Sequence, residues 1–419
     1  MKSFLLLFLL IIESLFAVDA ELDVVRKNNI IPTIGILVTK NTTDANLGRK
    51  LKEVLEKDFL VSGHFNVEDT DTLEENLNSE FNFSNPLLAK FDLIVSLEIK
   101  NTLNGSIAVD ISLFDINTKE LKSKNRYQVS KSARYPFLAH KIAIAVNNEL
   151  KAPSIDWMDR FILFSRYTSS KKSEIVISDY TLTYQQVIVN GGLNVFPKWA
   201  NKEQTSFYYT TYDNLYPTLI KQDLYSRKSE KVLQSDGMVV CSDVSNDGNK
   251  LLLTLAPNGQ PDIYLYDLKS KEKTRITKYS GIDVGGNFLG NEDKIVFVSD
   301  RLGKANIFAQ RIGSDNVDRL VYQGKNNSQA TTFNNYVVYS SREEGKGGFN
   351  LYLISTDNEG MKKLTTQGAN QFPKFSVDGE SILYVNNTNG VSSLGIMRLS
   401  YNKHFLFSLK SGKIQSIDW

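Results

Sequence analysis

The stretch Asn370–Val385, NQFPKFSVDGESILYV, decides the fold. Pro373 is followed two residues later by an aromatic, Ser376-Val-Asp-Gly379 supplies a tight turn, and Ser381 to Val385 is an apolar run. Asp-Gly between two such runs is hairpin chemistry, because Gly accepts positive φ and Asp bonds the nearby backbone. The same frame returns along the chain. VFPKW (195–199) matches QFPKF (371–375), and SNDGNKLLL (245–253) matches SVDGESILY (376–384). KIVFVSDRLGKANIFAQRI (294–312) lines up with YVVYSSREEGKGGFNLYLI (336–354). Gly192, Gly237, Gly281, Gly324, Gly368 and Gly412 close comparable blocks at separations of 45, 44, 43, 44 and 44 residues, which makes six units.

Each unit reads as four short strands; in the last, one ends near Phe375, and the others are Ser381 to Val385, Leu394 to Leu399 and Phe405 to Leu409. A four-stranded sheet cannot bury both of its faces alone, whereas six arranged radially bury each face against a neighbour. The repeat therefore predicts a six-bladed β-propeller over residues 153–419. QSIDW (415–419) looks like the first strand of a further unit, with Trp419 in the place of Trp199 and Phe375, and the first block begins at its second strand, RFILFSRY (160–167). Ile414 to Trp419 is expected to be the innermost strand of the first blade, so that ring closure covers two sheet edges.

The residues before the repeats read differently. PTIGILV (32–38) is a buried strand, and DANLGRKLKEVLEKDFL after it places Leu47, Leu51, Val54, Leu55 and Phe59 on one helical face, with Asp44 as the cap. Residues 91–99, 105–116 and 120–130 predict a meander, and Pro136 to Leu150 a second amphipathic helix. This is an N-terminal α/β domain, a mixed sheet with helices, spanning 21–152; Pro153 in KAPS (151–154) marks its end.

Residues 1–20, MKSFLLLFLLIIESLFAVDA, read as a signal peptide: a basic start, an apolar core from Phe4 to Ile12 too short to span a bilayer, and Val18-Asp-Ala20 as the cleavage pattern. No later segment is long enough to span a membrane. Lys and Arg number 49 against 47 Asp and Glu, so no strong field favours nucleic acid or anionic lipid. Cys241 is the single cysteine, which excludes an intramolecular disulfide, and its neighbours Val239 and Val240 point to a buried structural thiol.

Catalytic signatures are missing. His64, His140 and His404 fall in the α/β domain's strand, its second helix and a peripheral blade turn, and are not expected to converge. Nucleophile-elbow, phosphate-loop and zinc-ligand spacings do not occur, and no cofactor is expected. Asp243 and Asp283, near inner strands, are the candidates for holding a cation in the channel. Asn82 in EFNFS (80–84) matches an extended acidic-x-Asn-x-Ser glycosylation acceptor.

The unit pattern resembles the repeat of the TolB family: Phe372-Pro-Lys-Phe-Ser-Val-Asp-Gly379 is nearly the whole signature, and Ser299-Asp-Arg-Leu-Gly303 and Leu364-Thr365 are close matches. The order of export signal, small α/β domain and six repeats resembles that family too. The resemblance implies a soluble periplasmic, monomeric, non-enzymatic adaptor of the Tol-Pal envelope system. It implies that the propeller binds the lipoprotein Pal at one mouth of its channel, and that the N-terminal segment binds the inner-membrane protein TolA. Other outer-membrane proteins are possible partners, and the role implied is outer-membrane integrity and constriction at cell division. The Pal-interface positions carried over are Asn194, Val195, Met238, Cys241, Asp283, Val284, Gln329, Asn370 and Gln371, with the Ser299–Gly303 loop on the same face; Glu21, Leu22, Asp23, Val24 and Val25 are the TolA-binding positions. The alternative is a periplasmic propeller enzyme or ligand-binding module built around a channel metal.

Overall fold

The computed structural model describes residues 31–76, 81–101, 106–213, 215–343, 347–358 and 360–419. The expected signal peptide and the segment Glu21–Val25 lie outside the described residues.

The α/β domain is a five-stranded sheet of β1 (Thr33–Val38), β2 (Asn66–Val67), β3 (Leu93–Asn101), β4 (Ile107–Asp115) and β5 (Glu120–Val129) in the order β2-β1-β3-β4-β5. β1 runs parallel to β2 and β3, while β3, β4 and β5 form the antiparallel meander. Helix α1 (Ala45–Ser62) starts where the Asp44 carboxylate accepts from the Leu47 N–H at 2.9 Å, and stops at Gly63 with φ of 78°. Its buried stripe of Leu51, Leu55 and Phe59 packs on the sheet beside α3 (Tyr135–Glu149). Each such side chain contributes about 2–3 kcal/mol by leaving water. The short helix α2 (Asp71–Asn76) lies over a smaller cluster of Leu37, Leu73, Leu88, Phe91 and Ile94 on the opposite side.

Six four-stranded antiparallel sheets follow. Their inner strands are Lys413–Asp418 in blade 1, Asn194–Trp199 in blade 2, Val239–Val244 in blade 3, Asp283–Leu289 in blade 4, Asn326–Phe333 in blade 5 and Asn370–Phe375 in blade 6. The ring closes as expected: Lys413–Asp418 pairs with Ile162–Ser169, with Ile417 opposite Phe164. Every inner strand carries a bulge, seen as a register shift against its neighbour, and Phe196, Gln329 and Phe372 take positive φ there. The bulge redirects the second half of each strand into the channel.

The six repeat glycines share a crowded setting, and Gly192, Gly324, Gly368 and Gly412 also take positive φ. Each lies against the end of the second strand, or the turn beyond it, in the following blade. A Cβ on Gly237 would sit 2.1 Å from the Ala256 carbonyl oxygen, and one on Gly412 would press on Arg166 at 2.7 Å. At these points the connection runs too close to the blade it enters to leave free room for a side chain.

The α/β domain meets the propeller at blades 6 and 1. A continuous apolar cluster runs from the sheet through Leu138 and Ile142 to Trp157, Tyr180, Leu394, Ile396 and Ile417. Tyr180 and Tyr401 belong to connections between third and fourth strands, which share a face of the wheel with the hairpins that join inner to second strands. We call this face proximal. Connections between second and third strands, and from blade to blade, lie on the distal face.

Two histidine placements differ from expectation. His64 occupies the buried turn between α1 and β2, where Nδ1 meets Asn147 Oδ1 at 2.6 Å, and His404 sits in the outer strand Lys403–Ser408 opposite Met397. Sequence periodicity misses such one- or two-residue shifts because the turns flanking short strands carry no strong stop signal there.

Candidate functional site: the propeller channel and its two mouths

One residue of each bulged inner strand faces the channel, at equivalent positions of the repeat: Lys198, Asp243, Asn287, Thr331, Lys374 and Asp418. They line the floor of a cavity of about 640 Å³ that opens on the proximal face. Lys198 Nζ lies 3.1 Å from Asp243 and 3.2 Å from Asp418, and Lys374 Nζ lies 3.5 Å from Asp418. Asp418 also accepts from the Trp199 N–H at 2.9 Å, and Asp243 from the Phe288 N–H at 2.9 Å. Asn287 donates to the Ala330 carbonyl at 3.1 Å, and the Phe372 N–H donates to Gln329 Oε1 at 3.1 Å. These contacts bridge all six seams of the ring.

The electrostatics follow from the pairing. Burial works against the Lys198 ammonium, but Asp418 and then Asp243 outweigh it and hold its pKa up. Burial likewise opposes the Asp418 carboxylate, and Lys198 and Lys374 overcome it and keep the pKa below the usual carboxylate range. Lys374 has a lowered pKa, from burial first and the neighbouring Lys198 second. Of the two aspartates considered for a cation, Asp243 reaches the channel and Asp283 does not. Asp283 is fully buried at the start of its strand and is held by Arg301 at 3.0 and 3.1 Å. The channel carboxylates face ammonium groups, and no cluster of three or more metal-ligating side chains exists among the described residues.

Of the interface positions carried over by resemblance, Asn194, Val195, Met238, Asp283, Val284, Asn370 and Gln371 stand at the distal starts of their inner strands, whereas Cys241 and Gln329 lie mid-strand, the first in an apolar cluster and the second in the seam contact with Phe372. Asn194, Val195, Cys241, Asp283 and Asn370 are buried. Asn194 and Asn370 donate to the Gly191 and Gln367 carbonyls just upstream, so these amides shape the blade-to-blade turns. The Cys241 thiol is pushed up by burial, as its apolar neighbours imply. Met238 is 38% exposed, and Val284 and Gln371 are half-buried at the rim. Exchanging Asp283 for Asn should therefore lower thermal stability by several degrees while leaving partner affinity within about twofold; loss of affinity without loss of stability would return Asp283 to the interface.

Sequence reasoning missed Lys198, Asn287, Thr331, Lys374 and Asp418. The signal was present, since each stands 43 to 45 residues from the next member of the set, in register with Asp243.

A second polar centre lies where the two domains meet. His140 on α3 is fully buried, with Nδ1 2.9–3.0 Å from the two Asp58 carboxylate oxygens on α1 and Nε2 3.4 Å from Asp179 of blade 1. Tyr180 donates its hydroxyl to Asp58 at 2.5 Å. Burial opposes the imidazolium, and Asp58 first, then Asp179, raise the His140 pKa to about 10. Asp58 itself is pushed up by burial against the pull of His140.

Comparison with known proteins agrees with this architecture. The TolB amino-terminal domain matches residues 20–121, and the TolB beta propeller domain matches residues 159–419. The chain belongs to the TolB family. The "Tol-Pal system protein TolB" of Wolinella succinogenes is 44% identical over 97% of this chain and 98% of that protein. The protein of the same name from Campylobacter jejuni is 46% identical over the full length of both. A crystal structure of TolB from Acinetobacter baumannii shares the fold with a TM-score of 0.75 at 21% identity, covering 92% of this chain and 97% of that one. No helix among the described residues is long and apolar enough to cross a membrane.

Proposed function

We propose that this protein is a non-catalytic periplasmic adaptor that holds the lipoprotein Pal on the distal face of its propeller and engages TolA through residues 21–31. In this role it supports outer-membrane integrity and envelope constriction at division. The observation that carries the reading is the end-to-end match to relatives named for the Tol-Pal system. The site geometry supports it: His64 and His140 are spent on buried structural contacts, and the channel's charges neutralise one another. A wheel with an accessible rim suits a protein partner, and Met238, Val284 and Gln371 are the carried-over positions able to meet one.

The test is titration of the mature chain with each partner. Removal of residues 21–31 is expected to abolish TolA binding and leave Pal binding within about twofold. Equal TolA affinity for the shortened chain would refute the assignment of the segment, and failure of the intact chain to bind Pal would refute the adaptor reading.

A further inference from the structure

Five Asn-x-Ser/Thr triplets occur in the chain, at Asn41, Asn82, Asn104, Asn326 and Asn386, and only Asn82 has a carboxylate two residues before it, Glu80. To accept a sugar chain, such a triplet must offer two groups at once: an amide nitrogen open to solvent, and a hydroxyl two residues on that the transferase can read. The fold withholds one or both at three of the sites. Asn386 is 6% exposed, and its Nδ2 donates to Asn370 Oδ1 at 2.8 Å. Asn326 and Ser328 are half-buried in the inner strand of blade 5, paired with Arg342 and Ser340. Asn41 is exposed, but the Thr43 hydroxyl is spent on the Ile99 carbonyl at 3.1 Å. Asn104 and Glu80 lie outside the described residues.

Asn82 and Ser84 are presented differently. Exposure alternates from Phe81 to Ser84, the two aromatic residues half-buried and the two polar ones exposed. Phe81 stacks on Phe114 of β4 with centroids 3.9 Å apart and planes 4° apart, and Phe83 meets these two rings edge-on at 5.0 and 5.8 Å. The rings fasten the segment to the sheet and leave the polar side chains to solvent. The Ser84 N–H donates to Asn82 Oδ1 at 2.9 Å, and the Asn85 N–H to the Asn82 carbonyl at 3.1 Å, a turn that orients the Asn82 amide. Neither Asn82 Nδ2 nor the Ser84 hydroxyl bonds another described residue. Phe81 and Phe114 border the apolar cluster on the side of the sheet opposite α1 and α3, the helices that meet the propeller. A bulky group on Asn82 therefore clears both mouths of the channel.

We propose that Asn82 is the acceptor of an N-linked oligosaccharide, added after export by a transferase that uses a polyprenyl-diphosphate-linked donor. In the transfer, Asn82 Nδ2 bonds the anomeric carbon of the first sugar, and the bond from that carbon to the diphosphate oxygen breaks. The diphosphate leaves with the electron pair, and Nδ2 gives up one proton to a base of the transferase. The Ser84 hydroxyl and the Glu80 carboxylate are the features read beside the amide. The proposal goes beyond the adaptor reading and shares with it only the export of the chain.

The experiment is peptide mass spectrometry on the full chain isolated from cells of its source organism, with variants expressed in the same cells. The expected result is an oligosaccharide mass on the peptide that holds Asn82 and bare peptides at the other four asparagines. Asn82→Gln and Ser84→Ala should each abolish the modification and melt like the wild type, since both side chains are exposed. Glu80→Gln should diminish it, and Asn41→Gln should leave it whole. A chain that begins at its processed N-terminus and carries no sugar on Asn82 would overturn the proposal. So would a sugar that persists after Ser84→Ala, or one that sits on another of the five asparagines instead. A chain isolated with residues 1–20 still attached would defeat export, and this proposal with it, whereas failure to bind Pal would count against the adaptor reading alone.

Discussion

Asp418→Ala is expected to melt roughly 10 °C below the wild type, the largest loss from any single exchange in the channel. The carboxylate is nearly fully buried and serves three donors on two other blades: Lys198, the Trp199 N–H and Lys374. Its removal leaves Lys374, about four-fifths buried, without its 3.5 Å counter-ion, and stranded charges of this sort cost about 3–5 kcal/mol. Asp418→Asn keeps an acceptor for Trp199 and should fall between the two. A chain ending at Gly412 goes further, because the inner edge of Ile162–Ser169 is then unpaired; it is expected to aggregate. Because the folded Asp418 pKa is depressed, its contribution is present above about pH 4, the unfolded value, and is lost as pH falls through the folded one. Thermal scans at pH 7 of the three variants check the argument, and melting within 1 °C of wild type for Asp418→Ala would refute it.

Replacement of His140 is expected to loosen the contact between the two domains. His140→Ala leaves Asp58 and Asp179 buried together with no cation between them, a cost of about 3–5 kcal/mol. The wild type should also lose stability in alkali. The folded His140 pKa is raised to about 10, so its stabilisation is fully present below about pH 6.5 and fades as pH rises towards 10. The raised Asp58 pKa acts with the same sign, since the folded state holds its proton to higher pH than the unfolded chain does. Denaturant melts between pH 6 and pH 10 should show a downward slope for the wild type that His140→Gln flattens. Identical slopes for the two proteins would show that the imidazole is neutral at the interface.

Much of the fold was legible because the repeat writes each blade's turns in Gly, Asp and Asn. The blade spacing, the closing strand and the α1 cap could all be read from single residues: Gly412, Ile417 and Asp44. The site was legible only in outline. Asn194, Asp283 and Asn370 fall at the distal mouth, but the first and last bond their own turns and Asp283 pairs with Arg301. Polarity in a loop does not reveal whether a side chain faces solvent or its own backbone. The His140 centre was illegible because Asp58, His140 and Asp179 come from three distant segments whose meeting depends on how the domains pack.

The closing strand also has a consequence for how the chain reaches its native state. The strand that completes the first sheet, Lys413–Asp418, follows the other five sheets of the wheel in chain order, so a polypeptide emerging from its N-terminal end has those five in hand before the first can be finished. Until that tail arrives, the strand Ile162–Ser169 offers a bare ladder to any passing polypeptide. Once it arrives, no terminal repeat is left to fray, and the wheel gains a cooperativity that an open row of the same units would lack.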